Sequence, residues 1–507
     1  MLSNFRSFRS PTSPFVSRVV ARTFQTSLLP DGGRAFINGR WIKANSDRKF
    51  EVKNPYTRDV LCEVADCDLQ DANLAVESAK QAFEKWGYKT TGKERGELLR
   101  KWADLHRQHE TELAELLTQE QGKPVAEARA EIQYSAGYLD WYAGEARRIY
   151  GEIVPSAFPD RSHYHVREPI GVVASITPWN FPSAMIARKA AAALAAGCTF
   201  VVKPAHETPL SALALAETAK QAGIPPGVFN VIPASHEHLK EISPFFCESP
   251  DVSCISFTGS TAVGKLLLKQ CASSVKRVCL ELGGNAPFIV FESADVQRAV
   301  QGALSSKTRA SGQTCVSANR YFVHEAVHDK FVAALGDALK KLRCGDGMTD
   351  GVTQGPLISE KAVGKVQYLV DDALDKGAKL VMGGECVAET HCYKPTILTD
   401  VTEKMELTDV EIFGPVVAIQ KFTDETDVLR RANSTPYGLA GYIFTQDLAQ
   451  IHRVTRRLNV GILGVNEGAV SCPEAAFGGV KESGLGREGG RQGIDEFTQW
   501  KYITITH

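Results

Sequence analysis

The stretch "GVVASITPWNFPSAMIARKAAAALAAGCTFVVKPAH", residues 171–206, sets the architecture. Its opening run, Gly171 to Trp179, is apolar without alternation, as expected of a strand buried on both faces. An Ala-rich helix over Ser183 to Ala196 follows, and "TFVVKP" is a second such strand. Two buried strands joined by a helix form a parallel unit with a right-handed crossover. The rhythm continues outward: a helix over Leu210 to Ala222, the strand "VFNVIP", a weaker helix, the strand "VSCISFTGS", a helix from Thr261, and "RVCLELGG". Ligands of such open sheets bind beyond the carboxyl ends of the strands. Those ends carry Trp179, Asn180, Lys203, Gly259, Ser260 and Glu281.

A second strand-helix series runs from "PFIVFES" to "VGILGVNEG" and is long enough for its own core. Upstream, Asp68 to Trp86 keeps its apolar residues on one helical face, with Asp68 as N-cap. Glu94 to Leu117 reads as one further amphipathic helix. No internal repeat or low-complexity linker interrupts the chain.

The 507 residues are 43% hydrophobic and 23% charged, with a net charge of -1. That balance gives no basic surface for nucleic acid, and no apolar run reaches membrane-spanning length; small molecules are the expected partners. The first 28 residues stand apart: Arg6, Arg9, Arg18 and Arg22, many Ser and Thr, and no acid before Asp31. That is the composition of a mitochondrial transit peptide. The expected location is the mitochondrial matrix, with the cytoplasm as the alternative. None of the twelve cysteines forms a C-x-x-C pair, so no metal site is expected. Most should be buried small hydrophobes in a reducing compartment.

Several short motifs sit where chemistry is expected. "FTGSTAVG" opens a helix after a strand, and its amides can face a phosphate. "ELGG" places Glu281 at a strand end, where a carboxylate is either a general base or a salt-bridged surface group. Cys315 in "SGQTCV" belongs to no apolar period. It is a nucleophile if backbone amides at a helix start favour its thiolate, and otherwise an inert surface thiol. Asn180 in "PWNFP" is a fixed amide donor for an oxyanion or a turn former. "EIFGP" sets Glu411 and Phe413 to hold a ribose and flank a planar ring, or merely to pack a loop.

Each motif is ambiguous alone; their order is not. PWNFP, VVKPA, FTGST, ELGG, SGQTC, EIFGP and FGGVKESGLGRE together resemble the aldehyde dehydrogenase superfamily, from about residue 30 to the end. The versions "SVKRVCLELGG" and "FGGVKESGLGREGG" are most similar to its succinate-semialdehyde branch. The resemblance implies an α/β fold with three parts. A Rossmann-type parallel-sheet cofactor domain covers 29–148 and 170–283, and an α/β catalytic domain covers 284–482. A small strand element with the C-terminal tail covers 149–169 and 483–507 and builds a homo-oligomer, a dimer of dimers. It implies Cys315 as nucleophile, Asn180 as oxyanion donor and Glu281 as the base that activates water. It places NAD or NADP against Pro178, Trp179, Lys203, Pro204, Ala205, His206, Gly259, Ser260, Thr261, Ala262, Val263, Gly264, Leu282, Glu411 and Phe413. Arg188, Arg309 and Ser471 match the pocket for a substrate carboxylate, which implies oxidation of succinate semialdehyde to succinate in 4-aminobutyrate breakdown.

Two positions depart from the pattern. His206 stands where members preferring NAD carry a Glu that would repel a 2′-phosphate, so either cofactor is expected. Ser317 replaces a second cysteine found two residues after the nucleophile in some relatives, so no disulfide switch is expected there. The alternatives are the same chemistry on glutarate semialdehyde or an uncharged aliphatic aldehyde, and a non-catalytic binding protein. Cys315, Glu281 and Asn180 together argue against the last.

Overall fold

A computed structural model describes residues 27–29 and 32–507. The Arg-rich leader lies outside the described residues except at its end. There, Ser27 N–H and Oγ donate to Glu112 Oε1 (2.9 and 3.0 Å), and Leu28 is fully buried.

The stretch at 171–206 forms the centre of an eight-stranded sheet. Val172–Ile176 and Thr199–Lys203 are parallel and buried along their whole length, and the helix between them, Ala184–Ala196, is buried throughout. Val252–Thr258 and then Arg277–Glu281 continue the parallel sheet on one side, Phe229–Val231 on the other. Register aligns the strand ends: Ile176 lies opposite Lys203 and Phe257, and Thr258 opposite Glu281. One edge of the sheet therefore presents the residues expected to carry chemistry. An antiparallel hairpin, Ala35–Ile37 and Arg40–Ile42, closes one side; the short strand Gly484–Leu485 closes the other against Leu280 and Glu281.

A seven-stranded sheet follows, ordered Lys379–Met382, Thr396–Thr399, Val416–Phe422, Ala318–His324, Ala286–Val290, Ala440–Phe444, Ile462–Val465. All neighbours are parallel except the Lys379–Met382 edge. Only Leu282–Asn285 separates the last parallel strand of the first sheet from Ala286. The carboxyl edge of one sheet thus meets the amino edge of the other. Cys315 lies just before the strand that starts at Ala318, and Glu411 and Phe413 just before the one that starts at Val416.

Two readings of the sequence need correction. The single helix expected over 94–117 is two, Gly92–Gln108 and Glu110–Gln121, broken at His109 (φ -97°, ψ 17°). Leu99, Trp102, Ala103, His106, Leu113, Ala114 and Leu117 stay in helical phase across the break, so apolar spacing does not register it. The C-terminal segment is not a tail. Thr498–Thr506 pairs antiparallel along Arg161–Pro169, which also pairs with Glu152–Val154, giving a separate three-stranded sheet.

The helix expected from Asp68 spans Leu69–Lys89, and Asp68 accepts from the N–H groups of Gln70 and Asp71 while Asp71 returns a bond to its backbone. Asp68→Ala should lower unfolding stability by about 0.5–2 kcal/mol, read from the urea midpoint, with Asp68→Asn losing much less.

Candidate active site

The loop from Thr308 to Ser317 is strained where it approaches the cysteine. Ala310, Ser311 and Gly312 are all left-handed, with φ of 48°, 57° and 78°. Such geometry costs non-glycine residues about 1–3 kcal/mol each and persists only where neighbours impose it. Here Ala310 N–H donates to Glu127 (2.7 Å) and Ser311 Oγ to the Gly355 carbonyl (2.8 Å). The Gln313 amide donates to Ala310 O (3.1 Å), while its Oε1 accepts from Ile358 N–H (2.9 Å). A Cβ on Gly312 would lie 2.2 Å from the Gly414 carbonyl, and one on Gly284 would lie 2.3 Å from the carbonyl of Cys315. So "SGQTC", "EIFGP" and "ELGG" touch through bare backbone. Cys315 sits in a turn between a 3₁₀ segment and a strand, so amides of a helix start do not face its thiol.

The Cys315 thiol is partly accessible, yet recessed enough that burial pushes its pKa up to about 12. Arg188 pulls it down, and Glu411, Glu281 and Glu488 push it further up. The protein alone therefore supplies a protonated thiol at neutral pH, and deprotonation must accompany attack. Glu281 is buried, and neither carboxylate oxygen has a hydrogen-bond partner among the described residues. Burial, reinforced by Glu488, holds its pKa well above the usual carboxylate range, which makes it a stronger base once ionised.

Asn180 is buried where the first strand's exit loop meets the cysteine loop. One amide proton goes to the Gln313 carbonyl (2.9 Å); the other has no partner among the described residues. Phe181 carries the Arg309 guanidinium on its ring (4.5 Å), with Tyr134 at 6.0 Å. Among the described residues, no carboxylate pairs with Arg309. Arg188 behaves differently. It is buried, stacks on Phe477 (4.6 Å) and ion-pairs through Nε with Glu488, which also binds Lys189. Arg188 Nη2 has no hydrogen-bond partner among the described residues. Ser471 is half-buried in the loop after Ile462–Val465, with no hydrogen bond tying it to these groups.

The expected cofactor residues line the edge beyond the first sheet. Pro178 and Trp179 follow its central strand, and the Trp179 ring meets Phe413 edge-on at 5.6 Å. Lys203 is buried, its ammonium makes no hydrogen bond or ion pair among the described residues, and burial draws its pKa down to about 8. Pro204, Ala205 and His206 continue its turn. Burial lowers the pKa of His206 and Glu207, 3.2 Å away, opposes that shift. Gly259 precedes the helix Thr261–Cys271, whose N-cap Ser260 accepts from Val263 N–H. Ala262 and Val263 are exposed at its first turn, and Gly264 packs against Leu282. Glu411 accepts from Gly284 N–H (3.2 Å), and burial raises it to about 7. An uncommitted ammonium, an open helix N-terminus and an accepting carboxylate on one edge suit the phosphates and ribose hydroxyls of a dinucleotide.

Sequence reasoning passed over Glu488 and Lys189. A signal existed: two adjacent cations in an Ala-rich buried helix demand a carboxylate, and Glu488 lies in a motif already singled out. It also passed over Lys307, a buried lysine beside Glu411 that burial lowers to about 7.

Comparison with known proteins gives the chain's family. The mitochondrial succinate-semialdehyde dehydrogenase of Homo sapiens is 53% identical over 471 residues, 92% of this chain and 88% of that protein. Succinate-semialdehyde dehydrogenase [NADP(+)] GabD of Escherichia coli (strain K12) is 48% identical, over 93% of this chain and 97% of that protein. The crystal structure of succinate-semialdehyde dehydrogenase from Burkholderia pseudomallei superposes with a TM-score of 0.93 at 46% identity, covering 96% of this chain and 100% of that one. Residues 41–503 match the aldehyde dehydrogenase family, and the chain belongs to it.

Proposed function

We propose that this protein oxidises succinate semialdehyde to succinate with NAD or NADP, in the breakdown of 4-aminobutyrate. The carrying observation is Arg309: a guanidinium without an acidic partner among the described residues, on the same short loop as Cys315. A planar fork of that kind binds a carboxylate bidentately. Arg188 shares itself with Glu488 but keeps Nη2 to give, and Ser471 completes the pocket. An uncharged aldehyde would leave this cationic pocket unpaired. The names of the human, E. coli and Burkholderia relatives support the same substrate.

In this reading Cys315 Sγ, its proton passing to water, adds to the aldehyde carbon and forms a thiohemiacetal. The free amide proton of Asn180 and the Cys315 N–H hold the oxygen as it gains charge; one such donor is worth about 100- to 1,000-fold in rate. The bound nicotinamide supplies the hydride acceptor. Glu281 takes a proton from the water that attacks the resulting thioester, releasing the acid and returning the sulfur. Lys203, His206 and the helix start at Ser260–Gly264 hold the adenosine and pyrophosphate end. Pro178, Trp179, Leu282, Glu411 and Phe413 hold the other end.

The segments 29–148 and 170–283 form the cofactor domain in this proposal, and 284–482 the catalytic domain. The three-stranded sheet exposes Ile153, Trp500, Tyr502 and Ile505, which fits a homo-oligomer built as a dimer of dimers. A matrix location with a leader removed ahead of Ser27 agrees with the mitochondrial relatives and keeps Leu28 in the core.

Two measurements test this reading. Arg309→Ala should lower kcat/KM for succinate semialdehyde about tenfold to a hundredfold, the worth of one charge-assisted hydrogen bond, and for butanal less than about threefold. Equal losses would reduce the substrate claim to an aldehyde in general. His206→Glu should depress use of NADP more than of NAD, by repulsion of the 2′-phosphate; an unchanged ratio would place residue 206 away from the ribose.

A further inference from the structure

Three ionisable side chains from one stretch of chain lie beneath the site, and none takes part in the reaction proposed above. Lys123 precedes the helix Val125–Glu145, and Glu127 and Glu131 lie one turn apart on it. Lys123 Nζ donates to Glu131 Oε2 (2.6 Å) and to the main-chain oxygen of Asn180 (2.7 Å), and sits 3.8 Å from the centre of the Phe181 ring. Glu131 Oε1 accepts from the N–H groups of Ser183 (3.0 Å) and Ala184 (3.2 Å), at the start of the helix that bears Arg188. Glu127 Oε2 accepts from Ala310 N–H (2.7 Å), the first left-handed residue of the cysteine loop.

We propose that Lys123, Glu127 and Glu131 are positioning residues, a charged clamp that sets the Asn180 amide against the Cys315 loop by holding the main chain of both. This rests on the reaction proposed above. Stability alone gives no reason for the arrangement. A buried ion pair is commonly no more stable than apolar residues of the same volume, and the Lys123 and Glu131 side chains are 1% and 0% exposed. Two carboxylates one helical turn apart also repel. What the three charges do provide is directional bonding to the main chain of two loops from different sheets. The bonds reach backbone atoms, so they fix the loops whatever side chains those loops carry. The remaining Asn180 proton must point at one place beside Cys315, and an error of about 1 Å there costs about a hundredfold in rate.

The test uses the double variant Lys123→Met/Glu131→Gln. It removes both members of the ion pair together, leaves Glu127 with the Ala310 N–H and the charge of Arg309, and the Gln oxygen still accepts from Ser183 and Ala184. With the wild-type Asn180, kcat should fall about tenfold to a hundredfold for succinate semialdehyde and butanal alike. The dissociation constant of NADP should stay within about twofold, because a group acting only through the oxyanion leaves cofactor binding intact. In an Asn180→Ala background the same double change should cost less than about threefold, since the donor it aims is gone. Equal losses in both backgrounds, or no loss in either, overturn the clamp. If the double variant fails to bind NADP or loses its near-UV signal, Glu127→Ala decides. It frees Ala310 and should lower kcat about tenfold for butanal and change the rate of Cys315 alkylation by iodoacetamide at least threefold; neither changing overturns the clamp. A wild-type protein inactive on both aldehydes overturns the reaction itself, a result distinct from an active enzyme that ignores these substitutions.

Discussion

Everything at the site depends on two sheets meeting edge to edge through close backbone contact. Gly284 lies against the carbonyl of Cys315, and Gly312 against that of Gly414, at separations where a Cβ would overlap the oxygen. Backbone at contact distance lets the carboxyl end of the first sheet and the amino end of the second share one small volume. The aligned register that brings Lys203, Phe257, Thr258 and Glu281 to one edge matters only because the second sheet delivers Cys315 and Glu411 to the same place. Strain at Ala310 and Ser311 is the cost of that delivery, and the hydrogen bonds these residues donate to Glu127 and Gly355 hold it.

The second organising feature is charge taken out of water. Glu281, Glu488, Arg188 and Lys189 form one buried group, and Lys123 and Glu131 another. Each cation faces a carboxylate, which offsets the cost of burial, while Glu281 has no hydrogen-bond partner among the described residues and burial favours its neutral form. Burial, ahead of the nearby charges, holds the Cys315 thiol above its usual pKa, with Arg188 opposing and Glu411, Glu281 and Glu488 adding to the shift. That favours the thiol over the thiolate, the form that alkylation and oxidation require.

The fold was legible wherever period carried it. Strands of unbroken apolar residues, the helices between them and the cap at Asp68 all follow from local pattern. Motifs at strand ends were legible for the same reason, since topology sends them to one edge. What stayed hidden was pairing across long separations. Nothing near Arg188 shows that Glu488, three hundred residues on, will claim its Nε, and nothing in the turn at Lys123 shows that its ammonium will reach the Asn180 carbonyl. The break at His109 was hidden because the apolar face runs through it in phase. Thr498–Thr506 alternates Trp500, Tyr502 and β-branched residues as a strand should, but its partner lies more than three hundred residues upstream.

The position of that last strand has a consequence for biosynthesis. Gly484–Leu485 closes the first sheet beside Glu281, Glu488 neutralises Arg188 and Lys189, and Thr498–Thr506 completes the small sheet with Arg161–Pro169. All three contributions leave the ribosome near the end of synthesis, whereas most of the first sheet is made in the opening half. A nascent chain can form that sheet's centre early, but it carries an open edge and two unpaired buried cations until its final residues emerge. Long-range closure of this kind is slow and exposes sticky edges in the interim. Closure of the sheet therefore waits on the C-terminus, and a chain in this waiting state is the form suited to capture by chaperones.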